Sequence, residues 1–389
     1  MNSGKYIFAQ VLQFVNKYEF EKIVEKYNGN HRVRDLDCWN QFTQLFFGQL
    51  TNLNSIRDIC LCLKAHNNKL YHLGIKNYVD HTTLSRANEK RDWQIYSEFG
   101  YYMIELVRPF YANTAVPNLR IENELFALDS TTISCSINLL MWAEGKYSRG
   151  AIKIHTLLDL RGSIPSFILI TDGKYHDSNV LDEITPEPAA IYIMDKAYVD
   201  FKALYRINTC DSYFVTRAKT SLKYTIIEQN FNIDESTGLR ADKTIELTIE
   251  KSRKLYPEKL RLIEYYDAEH NNNLVFMTNN FEVSALQVSY IYKNRWQIET
   301  FFKWIKQNLV IKKLWGHSQN AVKTQIWVAI CTYLIVAYVK KIVKSELSIY
   351  QIMQILSISA FDKTSINELL NDFQKNQNVN EHQYNIFDR

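Results

Sequence analysis

Tyr292, Arg295, Glu299 and Lys306 stand in the pattern Y-x2-R-x3-E-x6-K, in a stretch free of Gly and Pro that predicts one continuous helix. At about 100° per residue the four polar side chains fall in one narrow stripe. Ile291, Ile298, Phe301, Phe302, Ile305 and Leu309 lie beside it as the buried face. A carboxylate flanked by two cations and a phenol on a rigid rod suits a site that holds a metal ion and grips phosphates around it. The same spacing also describes an ordinary Arg–Glu pair at i,i+4 on an amphipathic surface helix. Trp296, close to the stripe, is placed to stack on a base or to pack at the helix edge.

Two more acids follow apolar runs. Asp129 comes after Leu125-Phe-Ala-Leu128 and is read as the end of a first strand, and Asp195 comes after Ala190-Ile-Tyr-Ile-Met194 and ends a fourth. Strand ends on one edge of a sheet converge, and a helix across that edge adds Glu299 as a third carboxylate. Three carboxylates without internal partners repel one another unless a hard cation lies between them. Mg2+ is that cation, with Mn2+ as a substitute. Two such ions about 3.5–4 Å apart activate a water or a 3′-hydroxyl and stabilise the leaving oxygen. The implied reaction is in-line attack on a phosphodiester, with Arg295 and the neighbouring lysines, Lys303 and Lys306 among them, on the flanking phosphates. Singly, each acid has a plainer reading: Asp129 before Ser-Thr-Thr suits a cap, and Asp195 before Lys196 an ion pair. Asp159, Asp172 and Asp177 compete for the second position, and His155 and His176 are further potential ligands.

The elements must position these groups. The 389 residues allow two or three domains, and 46% hydrophobic with 23% charged residues is the balance of a globular chain. Residues 1–115 read as an all-helical domain, with a helix at Trp39–Gln49 and a long one from the Asp80 cap through Arg91 and Trp93 towards Val107. Its His31, Arg32, Arg34, Ser85, Arg86, Lys90 and Arg91 suit a DNA-reading module; a helical cap or dimerisation domain fits equally. Pro109 and Pro117 bracket a linker. Residues 121–217 read β-β-β-α-β-α-β, and 218–282 read as a separate β-rich insert. Residues 283–345 carry the basic helix and an apolar helix at 322–343, and 346–389 a C-terminal helix and a polar tail from about Asn371.

Net charge is +4, but residues 283–345 hold ten Lys or Arg against one acid, Glu299, which points to a polyanion partner. The six cysteines form no C-x-x-C, which argues against a zinc finger and for a reduced cytosolic protein. No signal peptide is read, and the apolar run Ile326–Val339 is short for a membrane span, so a core helix is expected and no membrane partner.

Together these motifs resemble a DDE transposase of insertion-sequence family 4. Tyr292, Arg295, Glu299 and Lys306 match that family's signature. Phe126-Ala-Leu-Asp129-Ser-Thr-Thr matches its first motif, and Asp195-Lys-Ala-Tyr198 its second, with Ala197 where Gly is usual. Cys38-Trp-Asn-Gln-Phe and His81-Thr-Thr-Leu-Ser-Arg are similar to the helical domain of a subgroup. The resemblance implies an α/β fold with an RNase H-like core, a mixed five-stranded sheet flanked by helices and interrupted by the β-rich insert. It implies Asp129, Asp195 and Glu299 as catalytic metal ligands, and Tyr292, Arg295 and Lys306 at DNA near the cleaved phosphate. It also implies a homodimer that pairs two transposon ends, cuts them and joins them to target DNA, at work in the bacterial cytoplasm on the nucleoid. A nuclease without a joining step, or an inactive relic that only binds DNA, shares most of these features.

Overall fold

The computed structural model describes residues 4–135, Trp142 and 150–371, so the polar tail beyond Asn371 lies outside the described residues. The chain forms two compact units. One comprises Met1–Phe110, Cys135–Trp142 and Trp304–Arg389, the other Tyr111–Ser134 and Ala143–Lys303.

The first unit is helical. It begins with α1 (Ile7–Leu12), α2 (Lys17–Lys26), α3 (Cys38–Leu50), α4 (Ile56–Ala65), α5 (Leu70–Leu73), α6 (His81–Lys90) and α7 (Gln94–Val107). Side-chain caps start several of these: Asn16, Asp37, Ser55 and Asp80 each accept a backbone N–H from the first turn. The long helix expected across Arg91 and Trp93 is broken there. Arg91 is extended, and Asp92 restarts the chain by accepting from the Gln94 N–H at 2.9 Å. Asn320 takes up the freed groups, accepting from the Trp93 N–H and donating to the Asn88 and Arg91 carbonyls.

The second unit holds one nine-stranded sheet. Its strands are β1 (Leu125–Cys135), β2 (Gly150–Asp159), β3 (Ile164–Asp172), β4 (Ile191–Met194), β5 (Tyr213–Arg217), β6 (Tyr224–Asn230), β7 (Leu239–Leu247), β8 (Leu260–Asp267) and β9 (Asn272–Thr278). The order β3-β2-β1-β4-β5-β9-β8-β7-β6 contains the five strands expected of an RNase H-like core as one contiguous block. Within it β1, β4 and β5 run parallel, and β2 and β3 antiparallel. The helix α8 (Phe201–Thr209) supplies the crossover between β4 and β5, with Ala203, Leu204 and Ile207 buried towards Phe214 and Tyr192. The insert is not a separate sheet. β9 pairs antiparallel with β5, and β8, β7 and β6 continue outward, so the insert extends the core sheet at its open edge. A short helix, α9 (Glu250–Leu255), joins β7 to β8.

Two helices follow. The helix α10 (Ala285–Lys293) opens with a Ser284–Gln287 capping box, and α11 (Trp296–Asn308) comes after a break at Asn294 and Arg295. The single rod expected from Tyr292 to Lys306 is therefore two helices. At the junction the Arg295, Gln297 and Ile298 N–H groups bond three residues back, the tight pattern of a turn. Asn294 holds it: its amide donates to the Pro117 and Tyr290 carbonyls and accepts from Gln297.

The last helices, α12 (Gln319–Ile342) and α13 (Ile349–Ile358), belong to the first unit. The helix α12 packs on α7, α3 and α6, so the N-terminal helices share one core with it. Gly100 on α7 allows the close approach, because a Cβ there would lie 2.6 Å from the Trp327 ring. At 24 residues and mean hydropathy 1.6, α12 is long and apolar enough to cross a membrane, yet 89% of that apolar window is buried in this unit.

Candidate active site

The parallel pairing of β1 with β4 matches Leu128 to Met194, so Asp129 and Asp195 are the next residue on each of two adjacent strands. Both emerge at the same sheet edge, where strand ends in α/β sheets gather ligands. The expectation that Asp129 ends its strand is corrected: β1 runs on to Cys135, and only its pairing with β4 stops at Leu128. Met194 does end β4, and Asp195 follows it.

Glu299 reaches this edge from the first turn of α11, and Arg295 from the turn before it. The guanidinium joins two of the acids, donating to Asp129 Oδ2 at 3.0 Å and to Glu299 Oε1 at 2.7 Å. The third acid is met by Tyr292, whose hydroxyl donates to Asp195 Oδ1 at 3.4 Å. The broken rod thus still presents Tyr292, Arg295 and Glu299 together. Phe276 of β9 lies against the Tyr292 ring at a 4.9 Å centroid distance, and the Arg295 guanidinium sits 5.7 Å over the same ring. Burial, relieved in part by Arg295, pushes the Tyr292 phenol up to about 12, so it stays a donor at neutral pH. Burial likewise raises the Asp129 carboxyl, against the Ser130 N–H and Arg295 that favour its charged form and with Glu299 and Asp195 adding to the rise.

The competing acids are engaged elsewhere. Asp177 accepts from Ser130 Oγ at 2.9 Å and from Lys153 Nζ at 3.0 Å. Asp172 accepts the Lys174 and Tyr175 N–H groups, and Asp159 the Arg161 N–H. His155 is fully buried against Thr171, and His176 bonds Ser178. The three carboxylates of the site are not drawn to within 4.8 Å of one another; among the described residues Asp267, Glu269 and His270 form such a group, at the turn between β8 and β9. That group is already paired, His270 with Asp267 and Glu269 with Lys293.

The remaining predicted contacts spread along α11. Trp296 is 65% exposed and lines a cavity of about 710 Å³ with Tyr265, Tyr292, Lys293 and Arg295. Lys303 is exposed one turn beyond Glu299. Lys306 lies further along the same helix, in the stretch that clusters with the first unit, and burial with Lys312 lowers its ammonium. Sequence reasoning missed Arg217. Thr216 is paired with Met194, so Arg217 comes level with Asp195, the residue just past β4, and it lines the same cavity as Trp296. Applying the strand-end rule to the third parallel strand would have found it. It also missed Lys153 and Ser130, whose bonds to Asp177 tie β2 and β1 to the loop after β3.

A mixed sheet with carboxylates where the pairing of two adjacent parallel strands stops, and a third from a following helix, is an oxygen-donor centre suited to hard cations and phosphodiester chemistry. The chain belongs to the transposase DDE domain family, whose model matches residues 121–335, more than half of its length. Residues 3–76 match a second family, described only as a domain of unknown function. Among curated relatives, a putative transposase, y4zB, of Sinorhizobium fredii is 28% identical over 61% of this chain and 67% of its own. A probable transposase for insertion sequence element IS5377 of Geobacillus stearothermophilus is 27% identical over 60% and 61%. A putative transposase for insertion sequence element IS4SA of a Synechocystis strain is 28% identical over 66% and 71%. A solved structure, the cryo-EM structure of a piggyBac transposase synaptic complex with hairpin DNA, overlaps 94% of this chain and 79% of that one at 11% identity and a TM-score of 0.47. The protein is a DNA transposase, an enzyme that cuts and transfers DNA strands.

Proposed function

We propose that Asp129, Asp195 and Glu299 are the catalytic metal ligands of this transposase, and that Tyr292, Arg295, Trp296, Lys303 and Lys306 bind DNA beside them. The observation that carries this is the Arg295 bridge: one cation holds Asp129 and Glu299, acids 170 residues apart in sequence, at the edge where Asp195 also emerges. Arg295 marks the place where positive charge is required, and an all-oxygen donor set fits Mg2+ or Mn2+. Two ions held by the three carboxylates would activate the attacking oxygen and stabilise the leaving one.

In cleavage, a water oxygen attacks phosphorus at the element end, the bond from phosphorus to the 3′ oxygen breaks, and that oxygen leaves as a 3′-hydroxyl. In joining, the freed 3′-hydroxyl attacks a target phosphodiester, and the target's own 3′ oxygen departs. Arg295 and the lysines hold flanking phosphates, and Tyr292, kept protonated, donates to Asp195 and orients it. The enzyme works as a homodimer that pairs the two terminal inverted repeats and then captures target DNA, in the bacterial cytoplasm on nucleoid DNA. The helical residues 1–115 serve as a DNA-binding part, residues 121–217 and 283–345 as the catalytic core, and residues 218–282 as the insert that extends its sheet.

The test is strand cleavage of duplex DNA carrying the element's end, in Mg2+ or EDTA, for the wild type and for Asp129→Ala, Asp195→Ala and Glu299→Ala. Cleavage that needs the metal and all three acids, with end binding retained in each variant, supports the assignment. Metal-dependent cleavage surviving in one variant removes that residue from the set.

A further inference from the structure

A second cationic feature lies wholly within the helical unit and takes no part in the site above. The loop at residues 27–36 and one face of α6 border an open groove of about 660 Å³. On α6 the lining positions Thr83, Arg86, Ala87 and Lys90 recur at helical spacing, so two cations stand on one face with small side chains between them. From the opposite wall come Arg32 and Arg34. The loop is ordered by its own turns: His31 and Val33 donate N–H groups to the Asn28 and Asn30 carbonyls, and Asn30 Oδ1 accepts from the Cys38 N–H at 2.8 Å. Arg91 forms part of the lining, but its guanidinium is committed to the Asp37 carbonyl and Gln41.

Arg32, Arg34, Arg86 and Lys90 are all exposed, and none is ion-paired among the described residues. Two acids line the groove against these cations, and one of them, Asp92, already accepts the Gln94 N–H. Four unpaired cations around one concavity repel one another and attract a polyanion. The arginine forks suit phosphate oxygens two at a time, and a helix face with small residues between its cations lets a backbone approach closely.

We infer that this groove grips the phosphate backbone of duplex DNA, a second contact on the transposase's own substrate that positions the end while the chemistry proceeds elsewhere. It gives the DNA-binding role proposed for residues 1–115 a definite place and mode of contact, since the loop falls inside residues 3–76 and α6 just beyond. The inference rests on the DNA-cutting reading, and its test separates the two.

The measurement is fluorescence anisotropy of labelled duplex carrying the element's end, titrated with the full-length protein in EDTA across a range of salt. Arg86→Gln with Lys90→Gln removes two groove cations, and Arg57→Gln with Lys64→Gln removes two exposed cations from α4 in the same unit. The groove pair is expected to bind roughly tenfold more weakly, with the slope of log affinity against log salt shallower by about two, and the α4 pair to bind as the wild type does. Equal losses in both pairs, no loss in either, or tighter binding of an RNA than of the duplex would overturn the inference. Cleavage of the same duplex in Mg2+ is read in parallel. A wild type that binds through the groove but never cleaves would count against the catalytic assignment and leave the groove standing.

Discussion

The catalytic edge and the helical groove both concentrate positive charge, but they treat it in opposite ways. At the edge Arg295 is only 15% exposed at its side chain and is neutralised twice, by Asp129 and by Glu299. In the groove Arg32, Arg34, Arg86 and Lys90 are exposed and have no ion pair among the described residues. A paired, partly buried charge fixes geometry, because moving it strands two carboxylates in a poor solvent. An unpaired, exposed charge contributes field, which tolerates looseness and is screened by salt. On the two proposals above, the difference is a division of labour: one region would place atoms, the other would hold a polymer.

The sharpest way to break the comparison is to remove a carboxylate. Asp129→Ala, Asp195→Ala or Glu299→Ala should each lower the cleavage rate roughly a thousandfold or more, about 4 kcal/mol of barrier, while leaving anisotropy-measured end binding nearly intact. A comparable fall in binding would mean that the edge works by field, as proposed for the groove.

A second disruption acts on the support behind the site. Arg261 of β8 is buried and pairs bidentately with Asp242 of β7 at 2.8 Å for both bonds. It also donates to the Asn280 and Val283 carbonyls, which lead into α10. Asp242→Ala leaves that guanidinium buried without its counter-charge, so unfolding should become easier by about 3–5 kcal/mol in denaturant titration. The exposed pair Lys254–Glu250 offers the contrast, since breaking it should change stability by less than about 0.5 kcal/mol.

Arg295→Gln tests the paired cation itself. Its loss removes the proposed phosphate contact and the charge between Asp129 and Glu299. We expect cleavage to fall about a hundredfold, yet Mn2+ binding measured by calorimetry to tighten, because the two carboxylates lose their internal counter-ion. Unchanged metal affinity would show that Arg295 does not compete for that place.

These contrasts also explain what the sequence revealed. Asp129 and Asp195 were legible as site positions because apolar runs stop at Leu128 and Met194, where the β1–β4 pairing also stops, although β1 itself runs on to Cys135. The Y-R-E-K spacing was legible as a stripe although the rod that carries it is broken. The break hung on Asn294, whose side chain bonds Pro117, far away in sequence, and no local periodicity encodes that. The same holds for Asp92 and Asn320 between α6 and α7. The insert was legible as strands but not as part of the core sheet, because alternation reports which residues face a core and says nothing about which edge a strand joins. Arg217 was hidden for a related reason: its place beside Asp195 comes from the register of β5 with β4.

The last effect concerns a neutral group beside the edge. His155 is fully buried near Lys153 and Asp177, and desolvation holds its imidazole down at about 4 even though the Asp177 carboxylate pulls the other way. In the unfolded chain it titrates at its ordinary value near 6.5. Between these values the unfolded chain binds the extra proton and the folded one does not, so stability must fall as pH drops from about 6.5 to about 4. The full shift is worth at most about 3 kcal/mol, and about half of it should be felt by pH 5. Melting temperatures across this range should therefore slope less steeply in His155→Gln than in the wild type, whatever the substitution does to stability at pH 7. A slope unchanged by the substitution would mean that the proton is taken up elsewhere, with Asp177 the first group to examine, because Lys153 and Ser130 hold its carboxyl below the usual range against the burial that raises it.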